Sequence, residues 1–348
     1  MTKKTVAVLF GGCSSEYSVS LQSAYSVLKN MDGEKYRIIL IGITENGDWY
    51  RYRGDIDLIP KDEWHKNPAV LTAVAVSPSR SASGIIEYEG GEARLTRLDC
   101  VLPILHGKNG EDGTVQGMFE LAGIPVAGCG SLGSALCMSK HVTQKLAETV
   151  GVRIPKVLLL RDGYSIAEAE LFGDSTGYPL FVKPVKAGSS YGVTRVESKA
   201  ALKGAINEAF RYDDTVMVEE AIVGREIACA VMGNDELIVG EVDEVELKNG
   251  FYDFEAKYFP KSTVIHVPAR ICPEERARIK DVAAKLYKAT GCNGFARVDL
   301  FYTNDGEIVF GEINTIPGFT DHSRFPAMMI AAGYSYGSVI DYFIENAK

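Results

Sequence analysis

Two stretches late in the chain hold the side chains best suited to chemistry. In GFARVDLFY, residues 294–302, Arg297 and Asp299 stand two apart, and Glu312 and Asn314 stand two apart at the end of EIVFGEIN. Residues two apart in a strand point to one face. If the two strands pair antiparallel across the turn Asn304-Asp305-Gly306, that face carries an arginine, two carboxylates and an amide. Such hard oxygen donors suit Mg²⁺, which commonly takes one or two carboxylates together with substrate phosphates. A solvated face laced with salt bridges is the plainer reading, but these polar residues interrupt otherwise apolar strands. Lys183 closes the run YPLFVKP, and AGSSYG follows at 187–192. Small residues let backbone N–H groups approach phosphate oxygens, and a lysine adds a point charge. No GK[ST] follows, so this is not a Walker A loop, and a simple strand-exit turn fits too. Lys140, before a helical stretch, is a second candidate phosphate lysine. Glu219 and Glu226 flank Ala221–Gly224; they either hold an adenine amine and ribose hydroxyls or are solvated.

Near the start, Gly11-Gly12 followed by CSSEYSVSLQSA reads as strand, small-residue loop and helix start, a natural place for an anion or zwitterion. Glu16 is either an ammonium ligand or a favourable acid in the first helical turn. The loop HGKNGEDGTVQG at 106–117 is dense in glycine, and its His106 is a ligand contact or a structural histidine.

The elements that must position these groups follow from pattern. Thr5–Phe10 reads as a buried parallel strand, with further strands at 36–43 and Cys100–Leu105. Leu21, Ala24, Tyr25 and Leu28 recur at helical spacing. Strands alternating with helices indicate an α/β domain with a largely parallel sheet, over 1–130. A second unit, 131–215, begins with a helix near Lys140 and has strands at Pro155–Leu160 and Pro179–Val182. A third, 216–348, contains a helix opened by Pro273, striped by Ile279, Val282, Ala283 and Leu286, and closed by Gly291. The segment 247–262 is polar and aromatic without a period and reads as a functional, mobile loop.

Bulk properties narrow the function. The 348 residues carry a formal net charge of -9, which disfavours nucleic acid as a partner. Seven cysteines, none in a CxxC pair, read as reduced thiols of a cytoplasmic protein. The first apolar run is too short for a signal peptide, and no stretch reaches the roughly 18 apolar residues of a membrane span.

Taken together, GGCSSEYSVSLQSA, HGKNGEDGTVQG, FVKPVKAGSSYGV, FYDFEAKY, GFARVDLF and GEINTIPGFTDHS resemble the D-alanine–D-alanine ligase family of the ATP-grasp fold. The resemblance is closest to the D-alanine–D-serine ligases of the VanG vancomycin-resistance type. It implies a Rossmann-like N-terminal domain and two α+β lobes clasping ATP. ATP would meet Lys140, Lys183, Ser190, Glu219, Ile222, Glu226 and Lys257. Asp299, Glu312 and Asn314 would hold two Mg²⁺, replaceable by Mn²⁺. Glu16 would bind the ammonium of the first D-alanine, with Val19 and His106 nearby. Arg297 and the backbone N–H of Gly318 would stabilise the oxyanion. Ser189, Tyr258 and Glu16 would link the glycine loop, the mobile loop and the N-terminal domain. Tyr258 matches relatives whose second substrate is an amine, and the D-lactate-forming relatives usually carry histidine there. Ala221 stands where a tryptophan often lies beside adenine. Arg324, after the substrate-binding Ser323, replaces the usual leucine and implies a polar second substrate, D-serine, with Asp243 holding the guanidinium and Tyr252 walling the pocket. D-alanine is the alternative second substrate, and a homodimer is expected.

Overall fold

The computed structural model describes residues 3–186, 188, 191–247 and 263–348. Ser189, Ser190, Tyr252, Lys257 and Tyr258, and with them most of the expected loop at 247–262, lie outside the described residues.

Three sheets organise the chain. The first contains β1 (Lys4–Gly11), β2 (Tyr36–Ile43), β3 (Trp49–Tyr52), β4 (Leu71–Val76), β5 (Gly84–Glu89), β6 (Glu92–Arg97) and β7 (Cys100–Pro103), in the order β6-β5-β4-β3-β2-β1-β7. Only β2, β1 and β7 are parallel. The other four form an antiparallel meander not anticipated from the sequence. The largely parallel sheet expected here is therefore a three-strand parallel core with an antiparallel extension. β1 is apolar on both faces, and Val6 through Phe10 are fully buried, as parallel strands covered on both sides are. The meander alternates instead. Its inward Glu87 is fully buried and accepts hydrogen bonds from Arg51, Arg53 and Thr96.

The second sheet has the order β10-β9-β11-β8, from β8 (Val157–Arg161), β9 (Leu180–Pro184), β10 (Thr194–Val196) and β11 (Thr215–Glu220). β11 pairs with both β8 and β9. This sheet thus runs through Glu220, beyond the boundary expected at 215. The third sheet, β14-β13-β12-β15-β16, is antiparallel. It comprises β12 (Gly224–Gly233), β13 (Leu237–Leu247), β14 (Thr263–His266), β15 (Phe295–Thr303) and β16 (Ile308–Asn314). The helix Pro273–Ala289 covers it, with proline in its first turn and Ile279, Ala283, Leu286 and Tyr287 buried. Gly291 follows at φ 66°, the left-handed geometry that stops a helix.

The largest core joins the first sheet to the third. Phe295, Phe319, Phe325 and Phe343 pack in one cluster with Val6, Val8, Phe10 and Leu21. Phe295 and Phe343 stack at 4.0 Å between centroids. The C-terminal helix Tyr336–Glu345 supplies Phe343, and its Glu345 pairs with Lys4 at 2.5 Å. Beyond it, the Lys348 carbonyl accepts from the Val126 N–H at 2.8 Å. No helix among the described residues is long and apolar enough to cross a membrane.

Phe343→Ala removes the ring shared by the two ends of the chain. A buried phenylalanine truncated to alanine costs about 3–5 kcal/mol. The urea midpoint should fall markedly, and an unchanged midpoint would show that this cluster does not hold the N-terminal domain to the third sheet.

Candidate active site between the three sheets

The register of β15 and β16 places Arg297 opposite Asn314 and Asp299 opposite Glu312. The pairing shifts just beyond Asp299, leaving Gly311 unpaired. Carboxylates directly opposite each other on neighbouring strands repel, so the charges around this pair decide whether it is tolerable. Arg297 donates twice to Asp299, from Nε at 2.7 Å and Nη2 at 2.8 Å. The Asn314 amide nitrogen adds a third bond at 2.7 Å. The Lys140 ammonium lies 3.6 Å from Glu312. Arg324 Nη1 lies 3.7 Å from Asp299.

Arg324 opens the helix Arg324–Ala331 and is buried. Its Nε and Nη2 each donate at 2.7 Å to the fully buried Asp243 on β13. Asp243 also accepts from the Ala228 N–H on β12 at 2.9 Å. A buried carboxylate persists only when its lone pairs are met, and Asp243 accepts three hydrogen bonds. Arg324 therefore turns inward, away from a surface salt bridge, and links Asp243 to Asp299.

The other lobe contributes from β9 and β11. Lys183 pairs with Glu219 on the adjacent strand. Gln144 donates to the same carboxylate. Lys140 and Gln144 are four apart in the helix Lys140–Thr149 and so share a face. That one helix reaches Glu312 on the third sheet and Glu219 on the second. Glu226, on β12, lies across the strand-free residues 221–223 from Glu219, with Ile222 partly buried between them.

The N-terminal domain closes the third side. Glu16 precedes the helix Tyr17–Asn30 but makes no side-chain cap. It is buried, and its Oε2 lies against two glycines: a Cβ at Gly107 would sit 2.5 Å away and one at Gly188 2.8 Å away. Glycine at both positions is what lets the loop at 106–113 and the glycine loop of the central lobe meet at this carboxylate. Val19 is partly buried one turn further along the helix.

His106, read as a ligand contact or a structural histidine, has partners inside the protein at both ring nitrogens. Nδ1 lies 2.9 Å from the Ile316 carbonyl and Nε2 lies 3.0 Å from Ser23 Oγ. Glu111 lies 3.5 Å from Nδ1. Burial opposes a charged imidazole, but the hydrogen bond and charge of Glu111, with the charge of Glu16, outweigh it and raise His106 above the usual histidine range. For Glu111 burial is the larger effect and raises it, against the hydrogen bond and charge of His106. Ser23 and Glu111 did not emerge from the sequence. A signal for Ser23 was present: serines at 20 and 23 occupy the apolar stripe of the first helix and are fully buried. Gly318 and Ser323 lie on the loop after β16, where Ser323 Oγ accepts from the Thr320 N–H at 2.9 Å.

The donor set fits a divalent cation that shares its shell with phosphate. Asp299, Glu312 and Asn314 offer hard oxygens, and a carboxylate has lone pairs beyond those met by Arg297 and Asn314. Among the described residues no three histidine, cysteine or acidic side chains gather as a metal cage. A cation here would need further oxygens from elsewhere, such as those of a phosphate.

Comparison with known proteins agrees with this arrangement. Residues 5–129 match the family model of the D-ala D-ala ligase N-terminus, and residues 146–345 that of the D-ala D-ala ligase C-terminus. The chain is 44% identical to the vancomycin C-type resistance protein VanC1 of Enterococcus gallinarum, covering 99% of this chain and 98% of that protein. It is 43% identical to a D-alanine–D-alanine ligase of Caldicellulosiruptor bescii, covering 100% of this chain and 96% of that one. Among solved structures, the VanG D-Ala:D-Ser ligase from Enterococcus faecalis superposes with a TM-score of 0.92 at 50% identity, covering 99% of each chain. Three sheets converging on one cleft, and relatives that match from end to end, lead to one conclusion: the chain belongs to the D-alanine–D-alanine ligase family and has its ATP-grasp fold.

Proposed function

We propose that this enzyme couples ATP cleavage to the joining of D-alanine with a second D-amino acid, D-serine in preference to D-alanine, to supply a peptidoglycan dipeptide. The observation that carries the ligase reading is the facing of Asp299 and Glu312 beneath Arg297, Lys140 and Arg324. Such a site is balanced for a cation and a highly charged phosphate together. Asp299, Glu312 and Asn314 would hold Mg²⁺, which supplies charge neutralisation for the triphosphate.

The residues of the chain do the rest. Lys183 and Lys140 bind phosphate oxygens in this reading, while Glu219 and Glu226, on strands of different sheets, bracket the base and ribose. Glu16 takes the ammonium of the first D-alanine and directs its carboxylate at the γ-phosphorus. That attack forms D-alanyl phosphate and ADP. The amine of the second amino acid then adds to the acyl carbon, and Arg297 with the Gly318 N–H meets the oxyanion. Phosphate leaves with one carboxylate oxygen of the first substrate.

The preference for D-serine rests on Arg324. D-serine and D-alanine differ by one hydroxyl, which an apolar wall barely distinguishes. A guanidinium has five N–H donors, and Asp243 takes two of them. Asp243 fixes the plane of the group, so a third N–H can be aimed at the serine hydroxyl. A hydrogen bond from a charged donor is worth about 1.5–3 kcal/mol, or roughly 10- to 150-fold in selectivity. D-alanine as second substrate is the competing reading, supported by the near-equal identity to a D-alanine–D-alanine ligase.

Two substitutions test these assignments. Glu312→Gln keeps the shape of the side chain and removes its charge. ADP release dependent on D-alanine should fall below detection while the circular dichroism spectrum is retained; activity near that of the parent would count against the cation site. Arg324→Leu, with D-serine and D-alanine in competition, should shift the dipeptide ratio toward D-alanyl-D-alanine by roughly tenfold or more. The change also strands Asp243, at a cost of about 3–5 kcal/mol in stability, so Arg324→Leu/Asp243→Leu is measured in parallel. An unchanged product ratio in both variants would remove Arg324 from substrate choice.

A further inference from the structure

We propose that Ser23 and His106 are positioning residues that set the backbone from Ile316 to Phe319, and with it the Gly318 N–H. The inference rests on the reading above, in which that N–H meets the oxyanion. The Ile316 carbonyl can only accept, so His106 Nδ1 carries a proton and donates to it at 2.9 Å. The Phe319 N–H donates to Ser23 Oγ at 3.3 Å. Ser23 Oγ and His106 Nε2 stand 3.0 Å apart. These contacts close a ring around Pro317 and Gly318. Proline has no N–H and a fixed φ, so the one N–H inside the ring belongs to Gly318. Among the described residues that N–H has no acceptor. The far side is pinned as well, because the Tyr336 hydroxyl donates to the Phe319 carbonyl.

The location makes this more than packing. Ser23 is fully buried and His106 is 4% exposed, so neither is available to solvent. Glu111, 3.5 Å from Nδ1, steadies the imidazole. Ser23 belongs to the helix Tyr17–Asn30, which starts immediately after Glu16. The element that follows the proposed ammonium ligand thereby also fixes the proposed oxyanion donor, on a segment almost three hundred residues later. A donor helps the transition state only if it is already in place, and a displacement of about 1 Å can cost roughly a hundredfold.

The test compares tetrahedral and ground-state binding. In Ser23→Ala, kcat should fall roughly 10- to 100-fold, and affinity for a phosphinate dipeptide analogue should fall by a similar factor. The KM values for D-alanine and ATP should move by no more than about twofold, since only the transition-state contact is disturbed. His106→Asn, whose amide nitrogen takes the place of Nδ1, should retain more activity than His106→Gln, whose amide reaches toward Nε2. Thermal melting confirms that each variant is folded. Parental phosphinate affinity in Ser23→Ala, or a KM for D-alanine that rises in step with the loss of kcat, would overturn the positioning role. Failure of the parent enzyme to form any dipeptide would instead sink the proposed function itself.

Discussion

Asp299 and Glu312 face each other across two hydrogen-bonded strands, and much of the architecture answers the repulsion between them. Two carboxylates in cross-strand register destabilise a sheet unless cations are brought to them. Here the cations come from three separate elements: Arg297 from β15 itself, Lys140 from the helix Lys140–Thr149, and Arg324 from the helix Arg324–Ala331. Arg324 in turn needs an anion in a buried setting, and Asp243 on β13 provides it. The result is a run of alternating charge, Asp243–Arg324–Asp299–Arg297, beside a separate Lys140–Glu312 pair, and together they tie both helices to the third sheet. The same concentration of charge suits a site that receives a cation and a triphosphate.

The second constraint is that one cleft is assembled from residues far apart in the chain. A reactive acyl phosphate is useful only where water is kept out and the second nucleophile is already aligned. The aromatic core around Phe295, Phe319 and Phe343 fastens the first sheet to the third. Above it, Ser23 and His106 extend that attachment to the loop after β16. Glu16 meets the glycine loop at Gly188, so the N-terminal domain touches the second unit as well as the third sheet. Packing and hydrogen bonding thus serve the same end as the charge pattern, a fixed mutual placement of three units.

The pairing of β15 with β16 could be foreseen because polar residues at a spacing of two interrupt apolar strands around an Asn-Asp-Gly turn. The helix Pro273–Ala289 was equally plain, with proline at its start, glycine after its end and a helical apolar stripe. The antiparallel meander from β3 to β6 was not. Its strands are short, and Arg51, Glu87 and Arg53, the last just past the end of β3, pair with one another and hide a charged interior from any reading of hydropathy. The strand Thr215–Glu220 crosses the boundary read at 215, because sheet membership depends on pairing with β8 and β9 and not on position in the chain. Within the site, side chains with unusual chemistry were visible one by one. Ser23 was not, because a serine on a buried helical face resembles a small filler until its partner from residue 106 is in view.

The central claim is that the cleft transfers a phosphoryl group to the carboxylate of D-alanine before the peptide bond forms. Ligation with D-alanine labelled with ¹⁸O in both carboxylate oxygens, unlabelled D-serine and unlabelled ATP tests it most directly. Each turnover through D-alanyl phosphate leaves one labelled oxygen in the released inorganic phosphate and one in the dipeptide carbonyl. Mass spectrometry of the phosphate should therefore find one ¹⁸O per dipeptide. Phosphate free of label, alongside normal dipeptide formation, would contradict the account.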